Sequence, residues 1–70
     1  TPAGQWLAQN SWKYGFILRY PQDKVEQTGV GYQPWHFRFV GRFHAMRMHN
    51  NNQCLEDYLE DLQQRGYFDT

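Results

Sequence analysis

Two short segments with the β-branched and aromatic content of strands, residues 16–20 and 35–40, constrain the fold of this chain most. The first segment ends at Pro21 and the second at Gly41, which are residues that interrupt strands. Residues 21–31 contain a proline and two glycines and are predicted to form a loop. Two short strands make only a small sheet, which needs helices against it to be stable.

Helical signals surround both predicted strands. Thr1 and Pro2 are typical of a helix start, and Gly15 is typical of a helix end. Residues 42–49 predict a short helix that stops in a run of three asparagines. A last helix is predicted from an apolar stripe at helical spacing: Leu55, Tyr58, Leu59 and Leu62. The acidic run 56–61 on this helix is interpreted as a solvated face. The order of elements predicts an α+β fold, with a small antiparallel sheet flanked by helices.

Alternation along the second strand divides its side chains between two faces. His36, Arg38 and Val40 fall on one face, and Phe37 and Phe39 fall on the other. We expect the two phenylalanines to point into the core, where replacing either by alanine would cost roughly 3–5 kcal/mol. Arg19 on the first strand is either a surface or ion-paired arginine or a second anion-binding group, and its neighbours in sequence do not separate these interpretations.

Charge and length exclude several classes of function. Seven basic and seven acidic residues give a formal net charge of zero, which argues against a nucleic-acid partner. The basic residues concentrate before residue 54 and the acidic residues after it, so an anion-binding surface is expected in the first part. No apolar run is long enough for a membrane span. A chain of 70 residues with a single cysteine buries a thin core and has no internal disulfide to stabilise it.

The segment around His36 is the strongest candidate for a chemical site. A histidine and an arginine on one strand face would suit a ligand that carries a carboxylate, since arginine binds anions and histidine binds metal or moves protons. The alternative is a structural histidine beside a solvated arginine. His44 and His49 are five residues apart, which places them on different sides of a helix, so they are interpreted as surface residues rather than a metal pair.

Three segments resemble one family of enzymes. They are SWKYGFILRYP (residues 11–21), YQPWHFRFVG (residues 32–41) and CLEDYL (residues 54–59). Together they resemble the zinc D-alanyl-D-alanine carboxypeptidases of the vancomycin-resistance type, and the match runs through nearly the whole chain. The second segment is the most specific of the three.

The resemblance implies a zinc site to which this chain contributes one ligand. In the family, a histidine and an aspartate from an upstream Ser-x-His-x-x-Gly-x-x-x-Asp stretch bind Zn²⁺ together with a histidine that follows Pro-Trp. Here the last position is His36, and the upstream stretch is absent from these residues. Residues 1–70 are therefore expected to be the C-terminal half of the catalytic domain, with the N-terminal half of the same domain as partner.

The resemblance also identifies a departure at the general base. The family has a glutamate three residues before the zinc histidine, and this chain has Gln33 there. Gln33 is either an engineered removal of the base or a natural loss of activity. By the same resemblance, Tyr20 and Arg38 are expected to line the substrate groove, and Trp35 to buttress it.

Two functions from different classes follow. The first is a zinc carboxypeptidase fragment that acts on peptidoglycan stem peptides ending in D-Ala-D-Ala. The alternative is a non-catalytic module that binds cell-wall peptides through the same groove. Restoring a glutamate at position 33 would discriminate between them. Either function implies an extracellular or periplasmic location, because peptidoglycan lies outside the cytoplasmic membrane.

Overall fold

A computed structural model describes residues 1–66 and has the α+β architecture expected from the sequence. Two strands pair in one antiparallel sheet, and helices precede, connect and follow them. No helix of this part of the chain has the length and apolar character that crossing a membrane requires. The elements are α1 (Pro2–Asn10), a 3-10 turn (Ser11–Tyr14), β1 (Phe16–Tyr20), a second 3-10 turn (Gln22–Lys24), α2 (Val25–Thr28), β2 (Gln33–Phe39), α3 (Arg42–Asn50) and α4 (Leu55–Gln64).

The pairing of β1 with β2 determines which side chains share a face. Phe16 lies opposite Phe39 and Leu18 lies opposite Phe37, whereas Ile17 lies opposite Arg38. Residues directly opposite each other in an antiparallel pair project to the same side of the sheet. The phenylalanines of β2 therefore share a face with Phe16 and Leu18, and Arg38 shares the other face with Ile17.

Helices α3 and α4 cover the face that carries Ile17. The core consists of buried residues from β1 and both helices: Ile17, Ala45, Met48, Tyr58 and Leu62. Trp12, Val40 and Leu55 pack against this core and are partly buried. The predicted apolar stripe of α4 is thus largely confirmed, with Leu59 as its exposed member.

The expected burial of Phe37 and Phe39 is wrong. Phe39 is 61% exposed and Phe37 is half-buried, on the sheet face opposite the core. Alternation correctly separates the two faces of β2, but it does not say which face the helices cover. The covered face is the one that carries Ile17 and Arg38, since Ile17 is buried in the core.

The predicted loop 21–31 is also partly wrong, since it contains the second 3-10 turn and α2. Pro21 has an extended backbone and begins the turn, so it acts as a start signal rather than a simple interruption. Gly29 ends α2 in the left-handed conformation with φ of 72°, and its N–H donates to the carbonyl of Val25 at 2.9 Å. Pro21 and Gly29 therefore bound a segment that consists of a 3-10 turn followed by a short helix.

Gly15 brings the start of β1 close to the end of β2. Its φ of 91° lies in the left-handed region, and a Cβ there would come within 2.7 Å of the Phe39 ring. Its carbonyl accepts hydrogen bonds from the N–H groups of Val40 and Gly41 at 2.8 and 3.1 Å. At the other end of the sheet β2 begins at Gln33, two residues before the predicted start, and places Gln33 opposite Tyr20.

Candidate functional site

Three of the predicted site residues meet at the end of the sheet where β2 begins. Gln33 lies opposite Tyr20, after an irregularity in the pairing between Leu18 and Tyr20. The Nδ1 atom of His36 is 3.4 Å from the Oε1 atom of Gln33. The His36 ring also packs edge-to-face with the Tyr20 ring, with centroids 5.0 Å apart and planes at 78°. Imidazole, amide and phenol therefore share one small, solvent-accessible region.

This region contains the one metal ligand that the sequence predicts, His36, but it does not form a complete metal site. His36 is exposed, so a metal ion can reach its ring. The ring edge that carries Nδ1 faces the Gln33 amide, which places the predicted base position next to the predicted ligand. A catalytic zinc typically has three protein ligands. Within residues 1–66, no group of three or more His, Cys, Asp or Glu side chains is arranged to hold a metal ion.

The structure places Trp35 and Arg38 differently from the central three residues. Trp35 is 74% exposed, so within residues 1–66 its ring packs against little that could form the wall of a substrate groove. Arg38 lies opposite Ile17 and lines a cavity of about 410 Å³ together with residues of α3 and α4, including His44 and Tyr58. Their expected roles at the substrate groove stay predictions.

The structure shows that Arg19 is an ion-paired arginine. Its Nη1 and Nη2 atoms donate to the Oε1 and Oε2 atoms of Glu56 at 2.8 and 2.7 Å. This two-pronged contact raises the pKa of Arg19 and lowers the pKa of Glu56, in each case chiefly through the hydrogen bonds between them. Its guanidinium carbon also lies 4.7 Å from the centroid of the Tyr20 ring.

A second ion pair joins the start of α4 to the segment after β1. The Nζ atom of Lys24 is 3.4 Å from the Oδ2 atom of Asp57, which also accepts a hydrogen bond from the N–H of Cys54 at 3.4 Å. Burial alone would raise the pKa of Asp57, but the contacts with Cys54 and Lys24 outweigh it, and the pKa lies below its ordinary value. Cys54 itself is buried, and burial raises the pKa of its thiol.

These pairs correct the reading of residues 56–61 as a solvated face, since Glu56 and Asp57 are half-buried and paired. No spacing rule connects residues 37 positions apart, so the sequence alone could not pair Arg19 with Glu56. His44 and His49 are exposed, as expected of surface residues, and they make separate contacts. His44 hydrogen-bonds through Nδ1 to the Tyr58 hydroxyl at 2.6 Å, and His49 stacks on Trp12 at 4.1 Å.

The exposed His36 lies beside the Gln33 amide at the end of a short sheet that helices cover on one face. Comparison with known proteins identifies the family. Residues 1–42 match the model of the family named VanY, D-alanyl-D-alanine carboxypeptidase. The chain is also 52% identical over 64 residues to a D-alanyl-D-alanine carboxypeptidase of Enterococcus faecium, covering 91% of this chain and 21% of that protein.

Solved structures agree with this match. The structure of VanYB in complex with D-alanine-D-alanine is similar with a TM-score of 0.82 and 47% identity, over 84% of this chain and 33% of that one. The D,D-pentapeptidase VanY from a VanB-type resistance cassette, in complex with Zn(II), is similar with a TM-score of 0.80 and 48% identity, over 83% and 33%. This chain belongs to the VanY D-alanyl-D-alanine carboxypeptidase family, whose members are zinc-dependent peptidases. It spans about a fifth to a third of the length of these relatives.

Proposed function

We propose that this chain is the C-terminal half of a zinc D-alanyl-D-alanine carboxypeptidase domain, in which Gln33 occupies the position of the general base. The observation that carries the proposal is the contact of 3.4 Å between the Gln33 amide and the His36 imidazole. The family match and the solved relatives with zinc or D-alanine-D-alanine support this reading. The substrate would be a peptidoglycan stem peptide that ends in D-Ala-D-Ala, which implies work outside the cytoplasmic membrane.

The exposed aromatic side chains on one face of the sheet support the proposal of a half-domain. The face with Phe16 and Phe39 carries exposed aromatic side chains, and Trp35 is also exposed. Exposed apolar surface of this kind marks an interaction site, since burial of such side chains is worth several kcal/mol. An N-terminal half would cover this surface, and at the end of the sheet where His36 lies it would bring the histidine and aspartate ligands that join His36 in the family.

The chemistry at position 33 follows from the difference between an amide and a carboxylate. Zinc, when bound, supplies a Lewis acid that makes an attacking water more acidic. A glutamate at position 33 would take a proton from that water and pass it to the departing D-Ala amine. The Gln33 amide can accept a hydrogen bond from the same water, but it cannot take its proton. We therefore expect peptide binding to persist and turnover to be low.

The experiment restores the base in a completed domain. A chimera is made from the upstream part of the Enterococcus faecium relative followed by this chain, and release of D-Ala from a pentapeptide stem is measured. Gln33→Glu should raise turnover by about 10²- to 10⁴-fold, the usual worth of a positioned general base. Peptide affinity should change much less, because the two side chains have nearly the same shape.

Matched variants complete the test. Gln63→Glu makes the same substitution on the exposed end of α4 and should leave turnover unchanged. His36→Ala should lower the zinc affinity of the chimera, measured by competition with a chelator. If the rate with Gln33→Glu stays flat while zinc is bound, position 33 is not the base, and the peptide-binding module replaces the enzyme as the better reading.

A further inference from the structure

A continuous series of contacts leads from α4 to the proposed zinc ligand. Glu56, in the first turn of α4, binds both terminal nitrogens of Arg19. The Arg19 guanidinium carbon lies 4.7 Å from the centroid of the Tyr20 ring. The Tyr20 ring in turn packs edge-to-face with His36. Each step is a direct contact, and each has a preferred geometry.

The end of the sheet needs such an anchor, because regular pairing fails there. The register shifts between Leu18 and Tyr20, so the ladder alone does not determine where the Tyr20 ring points. His36 is exposed, and its described side-chain contacts are with Gln33 and Tyr20. Glu56 lies on a helix whose opposite side is anchored in the core by Tyr58 and Leu62. Glu56 can therefore fix the position of Arg19, and through Arg19 that of the Tyr20 ring.

We propose that the Arg19–Glu56 ion pair is a positioning device that orients Tyr20 and, through it, the His36 imidazole for metal binding. The proposal rests on the proposed function, since it takes His36 to be a zinc ligand. Arg19 and Glu56 are positioning residues here, because their described contacts reach His36 only through Tyr20. An outer contact of this type fixes the orientation of a ligand ring before the metal arrives.

The first test measures ring geometry in the 70-residue chain without metal, by nuclear magnetic resonance. The first readout is the nuclear Overhauser effect between the Tyr20 and His36 ring protons. The second is the shift of the His36 ring protons caused by the ring current of Tyr20, for which Tyr20→Leu gives the value without that ring. Glu56→Gln removes the negative charge of the carboxylate. Arg19→Lys keeps the positive charge but removes the two parallel hydrogen bonds that the guanidinium donates. Both should weaken the Overhauser effect at least about twofold and move the shift towards the reference.

A matched control separates positioning from general weakening of the helix. Asp61→Asn removes the ion pair, at 3.1 Å, between Asp61 on the same helix and Arg65 just after it. Neither residue is among the described ring contacts of Tyr20. This substitution should leave the Tyr20–His36 readouts unchanged. Dispersed methyl signals of Ile17 and Met48, which are core residues, report whether each variant is folded. Unchanged ring geometry in both folded variants would overturn the proposal, and so would loss of folding in both, since the pair would then be a stabilising contact only.

The second test measures zinc affinity in the chimera by chelator competition. Glu56→Gln should weaken Zn²⁺ binding by about 10-fold, at the lower end of the range for outer contacts, since it acts through two intervening side chains. Asp61→Asn should not. An affinity that is equal in the parent chimera and Glu56→Gln would contradict the proposal. A parent chimera that binds no zinc would instead count against the proposed function, and the ring geometry measured without metal would still decide the positioning role.

Discussion

The two faces of the sheet differ in how completely this chain covers them. On one face, Ile17 packs among Ala45, Met48 and residues of α4 in a closed core. On the other, Phe16 and Phe39 pack edge-to-face with ring centroids 5.2 Å apart, and both are exposed. The larger aromatic side chains thus lie on the open face and the smaller aliphatic one on the closed face. Stability of the isolated chain is therefore expected to come from the closed face.

The open face and the incomplete metal site suggest the same conclusion about the proposed half-domain. His36 lies in the same strand as Phe39, and it offers a single ligand where a catalytic zinc typically has three. The proposed upstream half would therefore have to reach both the open face and the end of the sheet where His36 lies. The comparison of the two faces then becomes a measurable difference in stability, which three predictions address.

The largest expected effect is at Met48 on the closed face. Met48 is 2% exposed, so Met48→Ala should lower the free energy of unfolding by about 2–5 kcal/mol, the range for truncating a buried large side chain. Urea denaturation followed by tryptophan fluorescence measures this loss. For a chain of this size, a loss of several kcal/mol removes the folding transition altogether.

Met46 offers a matched control on the same helix. It is 43% exposed, so Met46→Ala should cost well under half as much as Met48→Ala. Similar losses for the two methionines would mean that α3 does not face the sheet as described, and the distinction between a closed and an open face would fail.

Much of this fold could be predicted from the sequence because local signals agree with the tertiary packing. The bounds of β1, the N-terminal residues of α1 and the stripe of α4 all follow from residue chemistry along a few turns. The choice of which face to bury could not be predicted, since alternation is symmetric between the two faces. The burial predicted for Phe39 is wrong for this reason.

The candidate site shows the same division. Gln33 and His36 are three residues apart, so the sequence already places them as neighbours, and in the structure their side chains are 3.4 Å apart. Arg19 and Glu56 meet only because β1 and α4 pack together, and a single sequence contains no signal for that pairing. The sequence therefore predicts the chemical groups of the site and misses the contacts that support them.

An intermediate effect is expected at Glu56, which joins the closed face to the site. The Arg19 contact lowers the pKa of Glu56 below its ordinary value of 4.5. A lowered pKa in the folded state gives stability that is complete above the unfolded value and lost as pH falls through the folded value. Glu56→Gln should lower the free energy of unfolding by about 1–2 kcal/mol at pH 7. This value lies between the contribution of a hydrogen bond to a charged group and that of an exposed ion pair.

The measurement for Glu56 is the melting temperature between pH 7 and pH 3. The wild-type chain should lose its advantage over Glu56→Gln as pH falls below about 4.5, so the two curves converge in acid. Glu60→Gln, on the exposed side of α4, is the matched control and should follow the wild-type curve. Parallel curves for wild type and Glu56→Gln would show that the ion pair does not contribute to stability.

The smallest expected effect in the isolated chain is at Phe39 on the open face. Phe39→Ala removes a ring that is 61% exposed and whose described ring contact is with Phe16, so it should cost about 0.5–1 kcal/mol, the worth of one aromatic pair. In the chimera with the upstream half, the same substitution should cost about 3–5 kcal/mol, because the ring would then be buried. Chemical denaturation of both forms, with and without the substitution, measures the difference. If the cost is equally small in both, the upstream half does not cover this face. The open face would then be a true surface of the protein, and the half-domain would have to be completed elsewhere.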